Sequence, residues 1–532
     1  MPASFLVHQR AHHQSTLPSL ILATPRRNRI LAPLSLLLAA GSGLFCSCAV
    51  GPNYHRPDVA MPAAFSEPVT GARTGISKDW WTVFGDPELN ELINSAALAN
   101  QDIRAAMSRV EEASALVQVA RGDLFPSIGL DPSFRRERTL SSTESGGGTT
   151  DTTTINSANS ARAKTANTFS LPLTLQYEFD FWGKLRRETE YYNDLAQASE
   201  SDFAFVKQTV LANVAQAYFN IRLSDTQLAI YRQSLELFRH QLSLTQAKYE
   251  SGLALKTDVL QAETQVNSAL AQITEIERTR AKEEHGLAIL LGKEPESFTL
   301  PANTLMTRVP GVPAGIPAML LNQRPDVATA ERKLASANAQ IGVAEADFYP
   351  TFSITGSAGY QSTRAQNLTN WSNHVWSIGP AVSLPLFEGG KLRGTLAERR
   401  AEYQELVADY RTSVLNALRD VEDELSDLRF LAEKAGTLDA TVKAATEYSR
   451  LTEDQYKQGI TTYLQVIDAN QTLLTNQLAA VEAENQRLVA NVLLVKALGG
   501  GWQPQDKLNS DPLRVAINNT SSVSPSIAIA SR

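Results

Sequence analysis

The chain has 532 residues, 43% of them hydrophobic and 20% charged, which supplies a large folded core and is too apolar for a disordered chain. Its formal charge of −7 argues against a nucleic-acid partner, and no run of about 18 apolar residues occurs beyond the first 50, so no conventional membrane helix is expected in the body of the protein. The two cysteines, Cys46 and Cys48, stand together near the start and leave the rest without a disulfide framework.

Arg26, Arg27 and Arg29 precede an apolar stretch at 30–45, and Cys46-Ser47-Cys48 follows. This resembles a bacterial lipoprotein signal, although Phe45 stands where such signals usually carry Leu. The resemblance implies loss of residues 1–47, with Cys48 as the acylated mature N-terminus. Removing Arg10, Arg26, Arg27 and Arg29 leaves 45 basic against 56 acidic residues, a mature charge of about −11.

Residues 48–86 read as an extended, Pro-rich tether ending around Asp79-Trp80-Trp81. Residues 87–121 are helical in pattern, with Leu89, Leu92, Ile93, Ala96 and Ala97 on one face. After Phe125-Pro126 the period changes to two. Ile128 and Leu130 alternate with polar or small residues, as do Leu171, Leu173, Leu175, Tyr177, Phe179 and Phe181, which predicts a hairpin within 126–181 having one apolar face. The Ser-, Thr- and Gly-rich stretch 141–168 between them reads as a polar loop. Residues 184–250 then run without a proline, about 100 Å if helical throughout, and a returning helix is expected at 257–291.

Past a Pro-rich linker at 294–317 the order recurs over 318–498. Phe352, Ile354, Ala358 and Tyr360 mark one strand and Trp376, Ile378, Val382, Leu384 and Leu386 the next, within 351–387; a long helix at 391–456 and a returning helix at 462–498 follow. Residues 499–532 have the composition of a disordered tail. Landmarks repeat too: Asn100-Gln101-Asp102-Ile103 answers Arg324-Pro325-Asp326-Val327, and Phe125-Pro126 answers Tyr349-Pro350. Gly183-Lys184-Leu185-Arg186 answers Gly390-Lys391-Leu392-Arg393, at spacings of 207 to 224 residues. Each long helix ends at a glycine, Gly252 or Gly459, suited to the left-handed position after a helix, and threonines just beyond are placed to cap the returning helix. The unit between 87 and 293 is thus read as duplicated at 318–498.

Strands of this length and alternation suit a bilayer-spanning barrel, but four per chain cannot close one, and open edges are not tolerated in hydrocarbon. Further copies must complete the wall. Eight helices packed about 10 Å apart enclose a bore of about 15 Å, twelve one of about 28 Å; spacing alone does not choose.

The order of tether, short helices, hairpin, long helix, tip and returning helix, given twice from Cys48 to Trp502, resembles the TolC-like outer membrane factors. The opening Cys48-Ala49-Val50-Gly51-Pro52-Asn53-Tyr54 is similar to that of their lipoprotein branch, of NodT and OprM type. The resemblance implies an α+β membrane protein: a homotrimer in which a twelve-stranded outer membrane β-barrel continues into a long antiparallel α-helical barrel in the periplasm. It also implies partnership with a periplasmic adaptor and an inner-membrane transporter of the resistance-nodulation-division type, contact with outer membrane lipid, and no cofactor beyond the lipid on Cys48. Tyr456, Leu464 and Asp468 match the family's constriction at the tips, and Asp258 lies in the first tip. Leu464 and Asp468, four apart, share a helix face, so symmetry copies would stack an apolar ring beside a carboxylate ring. Thr461 and Gln465 replace an arginine and an acid of some relatives, which removes the residues of a salt-bridge latch.

No H-E-x-x-H, G-x-S-x-G or phosphate-loop pattern occurs; Gly389-Gly390-Lys391 reads as a strand-to-helix turn, and His240 and His285 lack a nearby second ligand, so no enzyme is expected. Two rivals remain: a duct for secreted polypeptides, and a periplasmic coiled-coil scaffold lipoprotein, which would have no use for the alternating strands.

Overall fold

The computed structural model describes residues 49–67, 76–141, 162–305, 310–311 and 317–503. Cys48, the segment before it and the tail beyond 503 lie outside them. Two helices, α1 (Pro87–Ala99) and α2 (Gln101–Gly122), lead to β1 (Ser127–Leu130), β2 (Ser133–Ser141) and β3 (Arg162–Phe179). Then come α3 (Lys184–Glu250) and α4 (Lys256–Leu290). The second half runs α5 (Pro325–Ala346), β4 (Thr351–Ser362), β5 (His374–Ser383), α6 (Lys391–Lys457) and α7 (Tyr463–Ala497).

The two hairpins match in length, 67 residues out and 35 back in each. Lys184 and Lys391, Glu250 and Lys457, and Leu290 and Ala497 all lie 207 residues apart. At 1.5 Å per residue, α3 and α6 are about 100 Å long. No helix among the described residues is long and apolar enough to cross a membrane. Their apolar residues instead form separate clusters along the length, from Ile103, Met107 and Phe203 near the sheet, through Trp80, Phe84, Phe219 and Leu287, to Ala262, Tyr463 and Val466 at the tips.

All strands pair antiparallel. β1 and β2 both pair with β3 and share one register: Leu130 faces Leu173 and Ser133 faces Ser170, so only Asp131 and Pro132 are skipped. They occupy one position in the sheet, interrupted where Pro132, which has no N–H, cannot join the ladder. The sheet thus has four positions, β1/β2, β3, β4 and β5. Gly359 lies opposite Pro172, and a Cβ there would collide with the Leu171 carbonyl. One face carries Ile128, Leu130, Leu171, Leu173, Leu175, Tyr177, Phe179, Phe352, Ile354, Trp376, Ile378 and Val382; the other carries Thr174, Gln176, Glu178, Ser353, Thr355 and Ser357.

The polar stretch expected to be a loop from 141 to 168 is shorter than read, because Arg162 to Thr168 belong to β3, paired with the equally polar β2. Mutual pairing satisfies both backbones without an apolar face, and Thr139, Thr165 and Thr168 suit extended structure despite their polarity. Conversely Phe181, Leu384 and Leu386, read as strand residues, fall beyond the strand ends.

Laterally, the tip half is ordered α4, α3, α7, α6, and the half nearer the sheet α2, α3, α5, α6. The linker is bound to the middle of this layer. Buried Arg222 donates to the Pro301 carbonyl (2.6 Å) and pairs with Glu88 and Asp225, while Arg280 pairs with Asp225 (2.6 Å) and Glu284 and donates to the Leu300 carbonyl.

Candidate functional site

Two places combine specific geometry with side chains the bare fold does not require: the hairpin tips, and the strap formed by residues 49–67.

At the first tip Gly252 has φ 76° and Leu253 N–H donates to the Lys248 carbonyl (2.7 Å); at the second, Gly459 has φ 75° and Ile460 N–H donates to the Gln455 carbonyl (2.9 Å). Both are Schellman endings, in which the left-handed residue lets the next amide satisfy an orphan carbonyl. The returning helices begin differently from expectation. The first N-cap is Leu255, and Thr462, the second, makes no side-chain cap hydrogen bond. At the first tip the capping role falls to Asp258, whose carboxylate accepts from Leu255 N–H (3.1 Å). A carboxylate in the first turn also complements the helix dipole. Asp258 therefore has a partner, its own helix terminus.

The three residues matched to the constriction by resemblance, and Asp258 of the first tip, divide three ways. Leu464 is 62% exposed, and exposed Asp468 beside it accepts a long hydrogen bond from Tyr448 Oη (3.4 Å). Tyr456 turns toward the first hairpin, its ring 5.6 Å from that of Tyr463 and under Lys248 Nζ at 3.8 Å. Asp258 caps α4. Burial, then Tyr456, pushes the Tyr463 hydroxyl up to about 12. Ala262, Tyr463 and Val466 complete an apolar plug among the four helices. Lys248 was not singled out by sequence reading; its counterpart 207 residues on is Gln455, so only the first hairpin offers the cation.

The strap starts at the junction of sheet and helices. Val50 N–H donates to the Trp182 carbonyl (2.8 Å) in the β3–α3 turn. Trp182 donates through its indole to Pro350 O (2.8 Å) and stacks on Tyr349, joining the turns of the two halves. Arg187, only 4% exposed, donates to the carbonyls of Val50 and Gly51 (3.3 Å each), to Asn53 Oδ1 (2.8 Å) and to Glu190 (2.8 Å). Asn338 donates to the Pro52 carbonyl (2.8 Å). Gly51 has φ 94° and lies so close to Gly342 of α5 that a Cβ would strike it.

Farther on, Arg56 reaches Tyr410 Oη, Asn322, the Leu321 carbonyl and Glu331, and Arg429 pairs with Glu67 through two contacts of 2.8 and 3.1 Å. Tyr410 and Arg429 are both on α6, 19 residues apart, so the strap descends that helix for about 28 Å. The tether is legible in the sequence, and its clamp only as a contrast between the two halves. The signal was there: Gly183-Lys184-Leu185-Arg186-Arg187 and Gly390-Lys391-Leu392-Arg393-Gly394 differ at the last position, and that difference is the clamp.

A sequence model described as outer membrane efflux protein matches residues 92–293 and 316–500. The pyoverdine export outer membrane protein OpmQ of Pseudomonas aeruginosa is 33% identical over 431 residues, covering 80% of this chain and 88% of the relative. The probable efflux pump outer membrane protein TtgC of Pseudomonas putida is 29% identical over 478 residues, covering 88% and 96%. Among solved structures, the outer-membrane channel OprN superposes with a TM-score of 0.77 at 28% identity, covering 86% of this chain and all of the other.

Proposed function

This chain belongs to the outer membrane efflux protein family and is an outer membrane channel component of an efflux pump; we propose that it acts as the homotrimeric exit duct of a tripartite assembly. In this reading a periplasmic adaptor and an inner-membrane transporter of the resistance-nodulation-division type deliver cargo to the tips, and the duct carries it through the periplasm and outer membrane.

One observation carries the ring reading, with the number three taken from the family resemblance: the chain is an open wall whose two edges differ. One edge consists of β1/β2, α2 and α4, the other of β5 and α6. Both expose apolar side chains, Leu116, Val119, Leu260 and Leu270 on the first and Leu415, Phe430, Tyr448 and Leu451 on the second. Unlike edges that complement one another make a head-to-tail contact, which closes into a ring when the rotation divides the circle. Closure also pairs the strand edges, a requirement in lipid. Three copies bring twelve strand positions and twelve helices, the wider of the two bores.

The apolar sheet face fits a bilayer. From Phe179 to Phe169 is ten residue steps, about 33 Å along the strand, or about 25 Å in height at a tilt of about 40°, the height of the lipid band of such barrels. The Val50–Trp182 hydrogen bond fixes the start of the strap at the rim where this band meets the helices. We assign the closed end to the tips, with Leu464 and Asp468 facing the bore and Tyr456 holding the second hairpin to the first. The test is the copy number of detergent-extracted protein by native mass spectrometry, together with dye accumulation in cells lacking the chain. Three copies and raised accumulation are expected; a monomer extracted without detergent defeats the reading.

A further inference from the structure

The sheet rim farthest from the helices carries an unassigned feature. β4 pairs with β3 only as far as Ser362 opposite Phe169, whereas β2 continues alongside β3 to Ser141 opposite Arg162. A two-stranded ribbon therefore projects past the rest of the sheet. At its base Phe134 and Phe169 stand opposite each other, ring centroids 4.7 Å apart, on the same face as Leu130, Leu171 and Leu173.

Strand side chains alternate, so the residues two and four beyond Phe134 continue that face. They are Arg136, opposite Asn167, and Arg138, opposite Thr165. Both are exposed, and neither has a carboxylate partner among the described residues. Glu137 between them belongs to the opposite face, with Arg135. At about 3.3 Å per residue the two guanidinium-bearing positions lie about 7 and 13 Å outside the last aromatic pair. Aromatic side chains mark the same level elsewhere: Trp371, 79% exposed, stacks on His374 at 5.0 Å, and Tyr360, opposite His374, also faces Leu171. Arg364, exposed, stands just beyond the end of β4.

An apolar face bounded by aromatics and followed immediately by unpaired arginines is the pattern of a lipid boundary, hydrocarbon first and phosphate next. Guanidinium groups grip phosphate bidentately, and outside the hydrocarbon the cation is not desolvated. Resting on the membrane placement above, we propose that Arg136 and Arg138 form a docking site for phosphate-bearing lipid headgroups on the outer face of the membrane, with a bisphosphorylated lipid as the occupant. Arg135, on the face turned to the bore, takes no part.

The test uses the full chain, assembled in nanodiscs of phosphatidylcholine alone, with lipid A, or with dephosphorylated lipid A, and reads retained lipid by native mass spectrometry. Wild type and Arg135→Gln should enrich phosphorylated lipid A over phosphatidylcholine. The Arg136→Gln/Arg138→Gln variant should lose on the order of 10- to 30-fold of that enrichment, the effect of withdrawing two arginines from an anionic surface. Equal enrichment in the double variant, or of dephosphorylated lipid A, overturns the site while leaving the membrane reading intact. Wild-type protein that fails to enter any nanodisc overturns both.

Discussion

Replacing Arg187 with alanine should release the start of the strap. The side chain makes two hydrogen bonds of 2.8 Å, to Asn53 and Glu190, and two weaker ones of 3.3 Å to the carbonyls of Val50 and Gly51. Glu190 lies on α3 with Arg187, so only the contacts to the strap count: the Asn53 bond at about 1.5 kcal/mol and the two longer ones at about 0.75 kcal/mol each give about 3 kcal/mol. The loss falls on the docked state of the strap and not on the helices, because the contacts join strap to wall and Arg56 holds it independently farther down. A shift of 3 kcal/mol raises the undocked population about 100-fold. The probe is the Val50 amide, which donates to the Trp182 carbonyl. Hydrogen exchange of the peptide containing Val50 should quicken about 100-fold, while peptides from α7 keep their wild-type rates. Unchanged exchange at Val50, or an equal rise in α7, would refute the clamp.

Leu464→Ala combined with Asp468→Ala should raise single-channel conductance in planar bilayers, and an unchanged conductance would discard the gate assignment. Lys248→Met removes the cation above the Tyr456 ring, about 1 kcal/mol, and should speed exchange at the second tip about 5-fold, with Lys248→Arg near wild type. Burial, followed by Asp427, Asp423 and Asp420, pushes Glu424 from its ordinary 4.5 up to about 7. Between those values the folded chain keeps a proton that the unfolded chain has lost, so stability should fall as pH rises through this window and level off above it. Glu424→Gln should flatten that part of a Tm-against-pH series; an unaltered slope would show that other groups set it.

Sequence reading succeeded where one physical signal dominated. The proline-free stretches that became α3 and α6 have a single regular solution, and the alternation from Leu171 to Phe179 has another. It failed where a strand is stabilised only by its partner: Arg162 to Thr168 and Ser133 to Ser141 carry no apolar period, and their pairing is visible only in space. At the tips the glycine endings follow from local backbone chemistry. That Tyr456 would turn toward Lys248, and that Asp258 would bind its own helix, depends on how the four helices meet. Arg187 is hidden differently, because it stands where the two repeated stretches part, opposite Gly394 of the second.

That parting shapes the outside of the wall. With three copies closed as proposed, paired hairpins of equal length would give six staves that differ little in backbone. The strap runs down only one of each pair, pinned by Arg56 to Tyr410 and by Glu67 to Arg429. A protein embracing the tube from the side therefore finds furrows of two textures in alternation, one overlaid by extended chain and one bare helix. A ring of six identical arms would have to seat itself in two different ways, every second arm meeting a surface its neighbour does not.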